Sequence, residues 1–190
     1  MSGRRLVLFC LLLMLAGCQQ LRFRPDAGWV ALGTGYYQLA DSWPGKKQQL
    51  VQQVNWRQGE QQQQFLLTLL LQDEGYLLVA LSPIGQELGR LQYQRGHKLS
   101  VSGVAPFNQP GFARRLLAEM QLALLSDAHL SGRLHGLSLQ QHQHSRMVRQ
   151  NDGRVLLQIA PLTAPAPGQQ IKVSAEHYQL QIVTLQQDFL

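Results

Sequence analysis

Short apolar runs separated by turn residues limit what this chain can fold into more than any other feature. Residues 65–71 and 76–81 are apolar at nearly every position, and the turn sequence Asp-Glu-Gly occupies 73–75 between them. Turn residues at 95–96 and 151–153 separate further apolar runs. Strands joined by so few residues are antiparallel, because a parallel crossover needs about a dozen residues or more. The pattern therefore predicts an antiparallel meander.

One segment has the pattern of a helix. Residues 112–126 (FARRLLAEMQLALLS) contain strong helix formers, and Phe112, Leu116 and Met120 recur at helical spacing. The two apolar runs have no polar face, so we expect both of their faces to be covered. The helix would cover one face, and a second sheet layer or a ligand cavity the other. The predicted fold is mainly β (α+β), a curved antiparallel sheet closed by a helix.

The N-terminus has the pattern of an export signal. Arg4 and Arg5 precede an apolar run over 6–15, which is well short of the roughly 20 residues that a membrane-spanning helix needs. The next residues, Leu-Ala-Gly-Cys ending at Cys18, resemble the bacterial lipobox. That resemblance implies that 1–17 is a lipoprotein signal peptide and that Cys18 becomes the N-terminus, carrying acyl chains such as palmitate. An ordinary secretory signal with a coincidental cysteine is the alternative.

The lipobox resemblance also implies where the protein acts. In lipobox proteins of enteric-type bacteria, Asp after the cysteine retains the protein in the inner membrane, whereas this chain has Gln19. The implied location is the periplasmic face of the outer membrane. Several acyl chains hold a protein far more firmly than one chain, which binds a membrane only marginally. We therefore expect membrane attachment through this anchor and a monomeric domain beyond it.

Composition sets the domain organisation and excludes several partners. Prolines and glycines without a clear period predict a lipidated tether over 18–35, followed by a single domain over 36–190. The formal net charge is +6, but Lys and Arg are scattered, so no nucleic-acid binding is predicted. Of the two cysteines, Cys10 lies in the leader and Cys18 is acylated. No thiol is then left for a disulfide or a metal.

Catalytic and metal-binding patterns are weak. The sequence contains no Gly-x-Ser-x-Gly motif and no phosphate-binding glycine loop, and its acidic residues, Glu119 among them, are isolated. His142 and His144 would share one face of a strand, which leaves a surface Cu or Zn site open, although two ligands seldom make a dedicated site. We therefore predict no enzyme activity, no catalytic residues, no cofactor and no resident metal.

Aromatic residues gather in the first half of the chain, and two interpretations of them stay open. In the first interpretation they pack as ordinary core residues, since aromatic side chains dominate the energetics of sheet cores. Alternatively, they line an apolar cavity suited to an acyl chain, together with leucines of the strands and apolar residues of the helix. The candidate ligand-binding residues are Trp56, Phe65, Leu67, Leu69, Tyr76, Leu78, Leu116 and Met120.

The sequence resembles two families. Residues 80–91 (ALSPIGQELGRL), followed by the Leu-rich helix at 116–125, look like a family of uncharacterised bacterial outer-membrane lipoproteins that are often encoded beside aryl polyene biosynthesis genes. More distantly, the arrangement of lipobox, antiparallel strands and helix is similar to the LolA and LolB lipoprotein carriers. That similarity implies an incomplete antiparallel barrel, closed by helices around a hydrophobic cavity that binds acyl chains.

Two functions of different classes follow. The first is an outer-membrane lipoprotein that binds a lipid-like ligand, or the acyl chains of lipoprotein cargo, for trafficking or insertion at the outer membrane. The alternative is a structural lipoprotein that docks a membrane-bound biosynthetic or export complex through an exposed sheet edge or helix face. Bound lipid favours the first function, whereas a stable protein partner without lipid favours the second.

Overall fold

The structure of the protein is a computed structural model that describes residues 26–190. The predicted signal peptide, the predicted lipobox with Cys18 and the first part of the predicted tether lie outside the described residues. The helices are α1 Pro110–Leu124 and α2 Asp127–Leu130. The strands are β1 Trp29–Leu32, β2 Gly35–Gln38, β3 Gln48–Gln58, β4 Gln61–Gln72, β5 Gly75–Leu81, β6 Glu87–Gln94, β7 Lys98–Gly103, β8 Leu134–His135, β9 Leu137–His142, β10 Ser145–Gln150, β11 Val155–Ala160, β12 Gln170–Ala175 and β13 Gln179–Phe189.

A ten-stranded antiparallel sheet, called here the large sheet, has the order β7-β6-β5-β4-β3-β13-β12-β11-β10-β9. It consists of two meanders, β3 to β7 and β9 to β13, which are joined where β13 pairs with β3. The predicted turns at 73–75, 95–96 and 151–153 are confirmed, because each separates two paired strands. The edge strands β7 and β9 do not pair with each other, so the sheet stays open. The predicted fold class, a curved antiparallel sheet closed by a helix, is confirmed.

A small sheet, β1-β2-β8, packs beside α1. Strand β1 of this sheet lies within the predicted tether over 18–35, so the prediction is wrong for the C-terminal part of that range. Val30 and Leu32 alternate along β1 and are buried in the core. Because β1 has only four residues and glycines lie on both sides of it, its sequence resembles that of a loop. The folded domain begins no later than Trp29 rather than at Tyr36.

The chain passes from the small sheet to the large sheet at Gly136. The preceding strand β8 pairs with β2, and the following strand β9 pairs with β10. Gly136 has a φ of 67°, in the left-handed region that L side chains rarely adopt. A glycine at this position therefore allows the abrupt change of direction between two consecutive strands.

The inner face of the large sheet, which faces α1, carries the hydrophobic core. Cross-strand partners on this face are apolar over several strands in succession. Leu50 lies opposite Leu69, Leu69 opposite Leu78, and Leu78 opposite Leu91. All of them are buried. Each such side chain contributes roughly 1.5–3 kcal/mol to the stability of the fold.

Within residues 26–190 the outer face of β4 and β5 is only half-buried, which corrects the prediction that both faces of the apolar runs are covered. Its apolar side chains are half-buried and do not pack against the core. Leu66 lies directly opposite Leu81, and Leu70 opposite Leu77, so that these neighbours shield one another from water. The apolar outward residues are Leu66, Leu70, Leu77, Val79 and Leu81.

Helix α1 begins at Pro110 and ends at Leu124, slightly earlier than the predicted 112–126. Proline fits the first turn of a helix because the N–H that it lacks has no helical partner there. At the other end Leu125 is the C-cap residue, and Ser126 is already the N-cap residue of α2. In the part of the chain that the structure describes, neither helix has the length and apolar character needed to cross a membrane.

Gln121 attaches α1 to the segment that contains β2. Its side chain is fully buried. Oε1 accepts hydrogen bonds from the backbone N–H of Ala40 (2.8 Å) and from the hydroxyl of Tyr37 (3.0 Å), and Nε2 donates to the carbonyl of Ala40 (2.7 Å). Because buried polar groups are costly when they lack partners, these three bonds hold the helix and this segment in one relative position.

Arg146, on β10, holds the C-terminal end of α1. Its side chain is buried and lies on the inner face. The guanidinium donates to the carbonyl of Leu122, to the carbonyl of Leu125 (2.9 Å) and to Oδ1 of Asp127 (2.6 Å). The last carbonyls of a helix have no helical partner and carry the negative end of its dipole. The buried guanidinium donates hydrogen bonds to these carbonyls and places a positive charge beside the negative end of the dipole. It also ties α1 to the large sheet.

We expect Gln121→Leu to lower the free energy of unfolding by about 3 kcal/mol, because it keeps the core volume but leaves the polar groups of Ala40 and Tyr37 unpaired. Urea unfolding followed by tryptophan fluorescence measures the change. Gln62→Leu, at the exposed start of β4, is the matched control and should stay within about 0.5 kcal/mol of the wild type. Equal losses in the two variants would show that the buried amide does not hold the helix.

Candidate functional site

A cavity of about 530 Å³ lies between α1 and the inner face of the large sheet. The helix contributes Leu116, Met120 and Ala123, which lie on one face at helical spacing, and β3, β4, β12 and β13 form the opposite wall. The wall is mostly apolar, and the volume falls within the range of about 300–1,000 Å³ that is usual for small-molecule sites. Phe112, which is 37% exposed, lies where the cavity meets solvent.

Most of the predicted ligand-binding residues lie in the wall of this cavity. The sheet and the helix bring them together from opposite sides, because the inward positions of β3 and β4 face the apolar stripe of α1. Their role in binding a ligand stays a prediction. The predicted residues that line the cavity are Trp56, Phe65, Leu67, Leu116 and Met120.

The structure does not bring the other predicted residues, Leu69, Tyr76 and Leu78, to the cavity. Leu69 and Leu78 lie opposite each other in the packed core, beyond the end of the cavity. The hydroxyl of Tyr76 donates to the carbonyl of Ser42 (2.8 Å), and its ring contacts that of Trp43. The inner face of the sheet is wider than the cavity, so alternation alone could not separate wall residues from core residues.

Several wall residues were not predicted. Phe107, in the loop before α1, packs edge-on between Phe65 and Phe112, with ring centroids 5.7 and 5.5 Å apart. Helical spacing already places Phe112 on the same face as Leu116, although it was not among the candidate ligand-binding residues, whereas no periodicity identifies a loop residue such as Phe107. Strands β12 and β13 also contribute wall residues that the prediction lacked, namely Ile171, Val173, Leu180 and Ile182.

A polar group, called here the rim group, interrupts the apolar wall and consists of Arg115, Glu119 and Tyr178. Arg115 Nε donates to Glu119 Oε1 (2.9 Å), and the hydroxyl of Tyr178, just before β13, donates to the same oxygen. The side chain of Glu119 is 7% exposed and that of Arg115 is 44% exposed. Arg115 lies one helical turn from Glu119, whereas Tyr178 is 59 residues distant in sequence, so the sequence did not reveal this contact.

Burial and pairing set the charges of the rim group. Burial raises the pKa of Tyr178 above its ordinary value, and the negative charge of Glu119 raises it further, so Tyr178 remains a neutral donor. Burial lowers the pKa of Arg115, but the contacts with Glu119 and Tyr178 outweigh it and the net shift is upward. The rim group thus holds one guanidinium and one carboxylate, whose charges cancel.

Other reactive side chains lie outside the cavity. Ser126 Oγ and His129 Nδ1 are 2.7 Å apart, but they belong to the surface helix α2 and its cap. His142 ends β9 and His144 lies in the following turn, so their predicted placement on one strand face is wrong. The strand stops there because Gln143 has a φ of 50°. In the described part of the chain, no three His, Cys, Asp or Glu side chains are placed to hold a metal ion.

The chain matches one protein family over most of its length. A model of DUF3261, a family described as proteins of unknown function, matches residues 49–186. The chain belongs to the DUF3261 family. No curated protein matches it. Among solved structures, this DUF3261 chain is similar to a LolA superfamily protein, NE2245 from Nitrosomonas europaea, with 9% sequence identity, a TM-score of 0.43, and coverage of 79% of this chain and 89% of that chain.

Tyr178 makes the stability of this DUF3261 protein sensitive to alkaline pH. The pKa of the Tyr178 hydroxyl is higher in the folded protein than in the unfolded chain. In the unfolded chain this hydroxyl loses its proton near pH 10.0. The free energy of unfolding should therefore fall as the pH rises above about 10. Tyr178→Phe should make this fall shallower, as measured by urea unfolding between about pH 8 and pH 11. Part of the slope should remain, because burial also raises the pKa of Tyr37 and of Tyr76. An unchanged slope would contradict the assignment to Tyr178.

Proposed function

We propose that this protein is a lipid-anchored lipoprotein of the outer membrane, facing the periplasm, that binds an acyl or lipid-like chain for trafficking or insertion. The cavity of about 530 Å³ between α1 and the large sheet is the observation that carries this proposal. An acyl chain suits such a wall because it is apolar along its length and needs polar contacts at one end only. The rim group supplies polar contacts at the edge of the apolar wall.

The strength of binding follows from the area that such a chain buries. Each methylene transferred from water into the cavity contributes about 0.8 kcal/mol. Ten buried methylenes therefore contribute about 8 kcal/mol, from which the entropy of ordering the chain is subtracted. The resulting affinity is about micromolar or weaker, which allows both capture and release. Binding of this strength suits carriage of a ligand rather than its permanent storage.

The N-terminal sequence supports the proposed location. Acylation of Cys18 would hold the domain beside a bilayer, and Gln19 is compatible with the outer membrane in lipobox proteins. The resemblance to lipoproteins encoded beside aryl polyene genes adds polyene acyl chains to the candidate ligands. In this proposal the protein binds as a monomer, uses no cofactor or catalytic residue, and has lipid or lipoprotein cargo as its partner.

Purified chain from Gln19 onward should carry lipid that organic solvent extracts and mass spectrometry detects. Ala123→Trp fills the cavity from α1 and should weaken binding of the uncharged fluorescent probe N-phenyl-1-naphthylamine at least about tenfold. Ala128→Trp places the same side chain on the exposed surface of α2 and is the matched control. A wild-type protein that carries no lipid and does not bind the probe would refute the proposed ligand class.

Cys18→Ser should prevent anchoring in the outer membrane, because it removes the thiol to which the lipid is attached. Cell fractionation on a density gradient should place the wild type with the outer membrane and the variant in the soluble periplasm or as uncleaved precursor. Cys10→Ser, within the leader, is the matched control and should leave the distribution unchanged. A wild type found in the inner membrane would overturn the location implied by Gln19.

Docking of a membrane-bound protein is the second candidate, and one feature favours it. The outward apolar residues of β4 and β5 form a half-buried patch that does not pack against the core. Such a patch suits contact with the apolar surface of a protein partner. If the docking function holds, Val79→Arg, at the centre of this patch, should prevent recovery of the partner protein with this chain from membranes. Lipid in the cavity without such a partner favours carriage.

A further inference from the structure

The charges around the cavity restrict the kind of polar end that a ligand can have. Arg115 and Glu119 are the charged residues among those that line it, and their hydrogen bond pairs them. A free arginine at this position would attract the carboxylate of a fatty acid. Here the carboxylate of Glu119 already compensates Arg115, so an anion that approaches the guanidinium also meets a negative charge beside it.

The rim group still has hydrogen-bonding capacity for an uncharged ligand. Both hydrogen bonds to Glu119 reach Oε1, so its Oε2 can accept from a hydroxyl or an amide N–H. Arg115 uses Nε towards Glu119, and the remaining guanidinium N–H groups can donate to a carbonyl oxygen. A carboxylate ligand cannot donate to Oε2, whereas an acyl amide or a hydroxyl-bearing ester can both donate and accept.

We propose that the cavity selects acyl chains with an uncharged polar end, acyl esters and amides, over free fatty acids. This inference rests on the proposed function, because it specifies the ligand class of the same cavity. The selection comes from repulsion as well as attraction. Placing a second carboxylate beside the largely buried Glu119 carries the energetic penalty of like charges in a site with little water.

Competition between two ligands with the same chain tests the selection. The chain from Gln19 onward, which contains every described residue, is loaded with N-phenyl-1-naphthylamine. At about pH 8, where laurate is ionised, 1-monolauroylglycerol or laurate then displaces the probe. Both are kept below the concentrations at which they form micelles. In the wild type, monolauroylglycerol should displace the probe at a concentration at least about tenfold lower than laurate.

Glu119→Gln tests whether the carboxylate causes the preference. Glutamine keeps the shape and can accept hydrogen bonds from Arg115 and Tyr178, but it leaves the guanidinium without a counter-charge. Laurate should then bind at least about tenfold more tightly than it does to the wild type, while monolauroylglycerol, which loses its acceptor at Oε2, should bind no more tightly than before. The double variant Arg115→Gln/Glu119→Gln, which removes both charges, should lose this gain for laurate.

Glu87→Gln is the matched control, because it breaks an exposed Arg–Glu pair on β6 with Arg90, away from the cavity. It should leave both displacement curves unchanged. Laurate that competes as well as monolauroylglycerol in the wild type, or a Glu119→Gln variant with the wild-type preference, would overturn the inference and leave the proposed function intact. Failure of the wild type to bind either ligand or the probe would instead overturn the proposed function.

Discussion

The cavity depends on two buried polar side chains that fix one helix at a set position over the sheet. Gln121 joins α1 to the backbone of Ala40, and Arg146 joins the C-terminal end of α1 to β10. Moving the helix would leave these buried groups unpaired, at a cost of about 1–3 kcal/mol each. Leu116 and Met120, on the face towards the cavity, therefore cannot settle onto the sheet and close the space before them. The polar contacts hold the helix at this position, and the cavity between the helix and the sheet therefore stays open.

An unfilled apolar cavity lowers the stability of the folded protein. Because the cavity meets solvent, its apolar wall stays in contact with water and forgoes about 25 cal/mol of stabilisation for each Å² that packing or a ligand would bury. A larger side chain at Ala123, which lines the cavity, would fill part of it. The rim group adds to this, because a partly buried charge pair contributes little net stability compared with apolar side chains of similar volume. The proposed binding of an amphiphilic chain would account for both features, whereas optimal packing accounts for neither.

The sequence predicted the parts of the fold that are encoded locally. Period-two alternation and short turns located the strands of the large sheet, and helical spacing located α1 within two residues or so. The contacts that shape the cavity are encoded over long distances and were missed. Tyr178 reaches Glu119 across 59 residues, and Gln121 reaches Ala40 across 81. In sequence, the buried Gln121 is indistinguishable from the exposed glutamines of β4, and β1 is too short for its alternation to stand out.

The early start of the folded domain bears on how the proposed anchor and the cavity work together. With β1 beginning at Trp29, about ten residues separate it from Cys18, and an extended chain of that length spans at most about 40 Å. The tether predicted from sequence, reaching residue 35, would have allowed a considerably longer span. A shorter tether raises the effective concentration of the cavity at the surface of the bilayer that holds the anchor. An acylated Cys18 therefore favours exchange of chains with that bilayer, or with cargo delivered to it, over capture of ligands from the bulk periplasm.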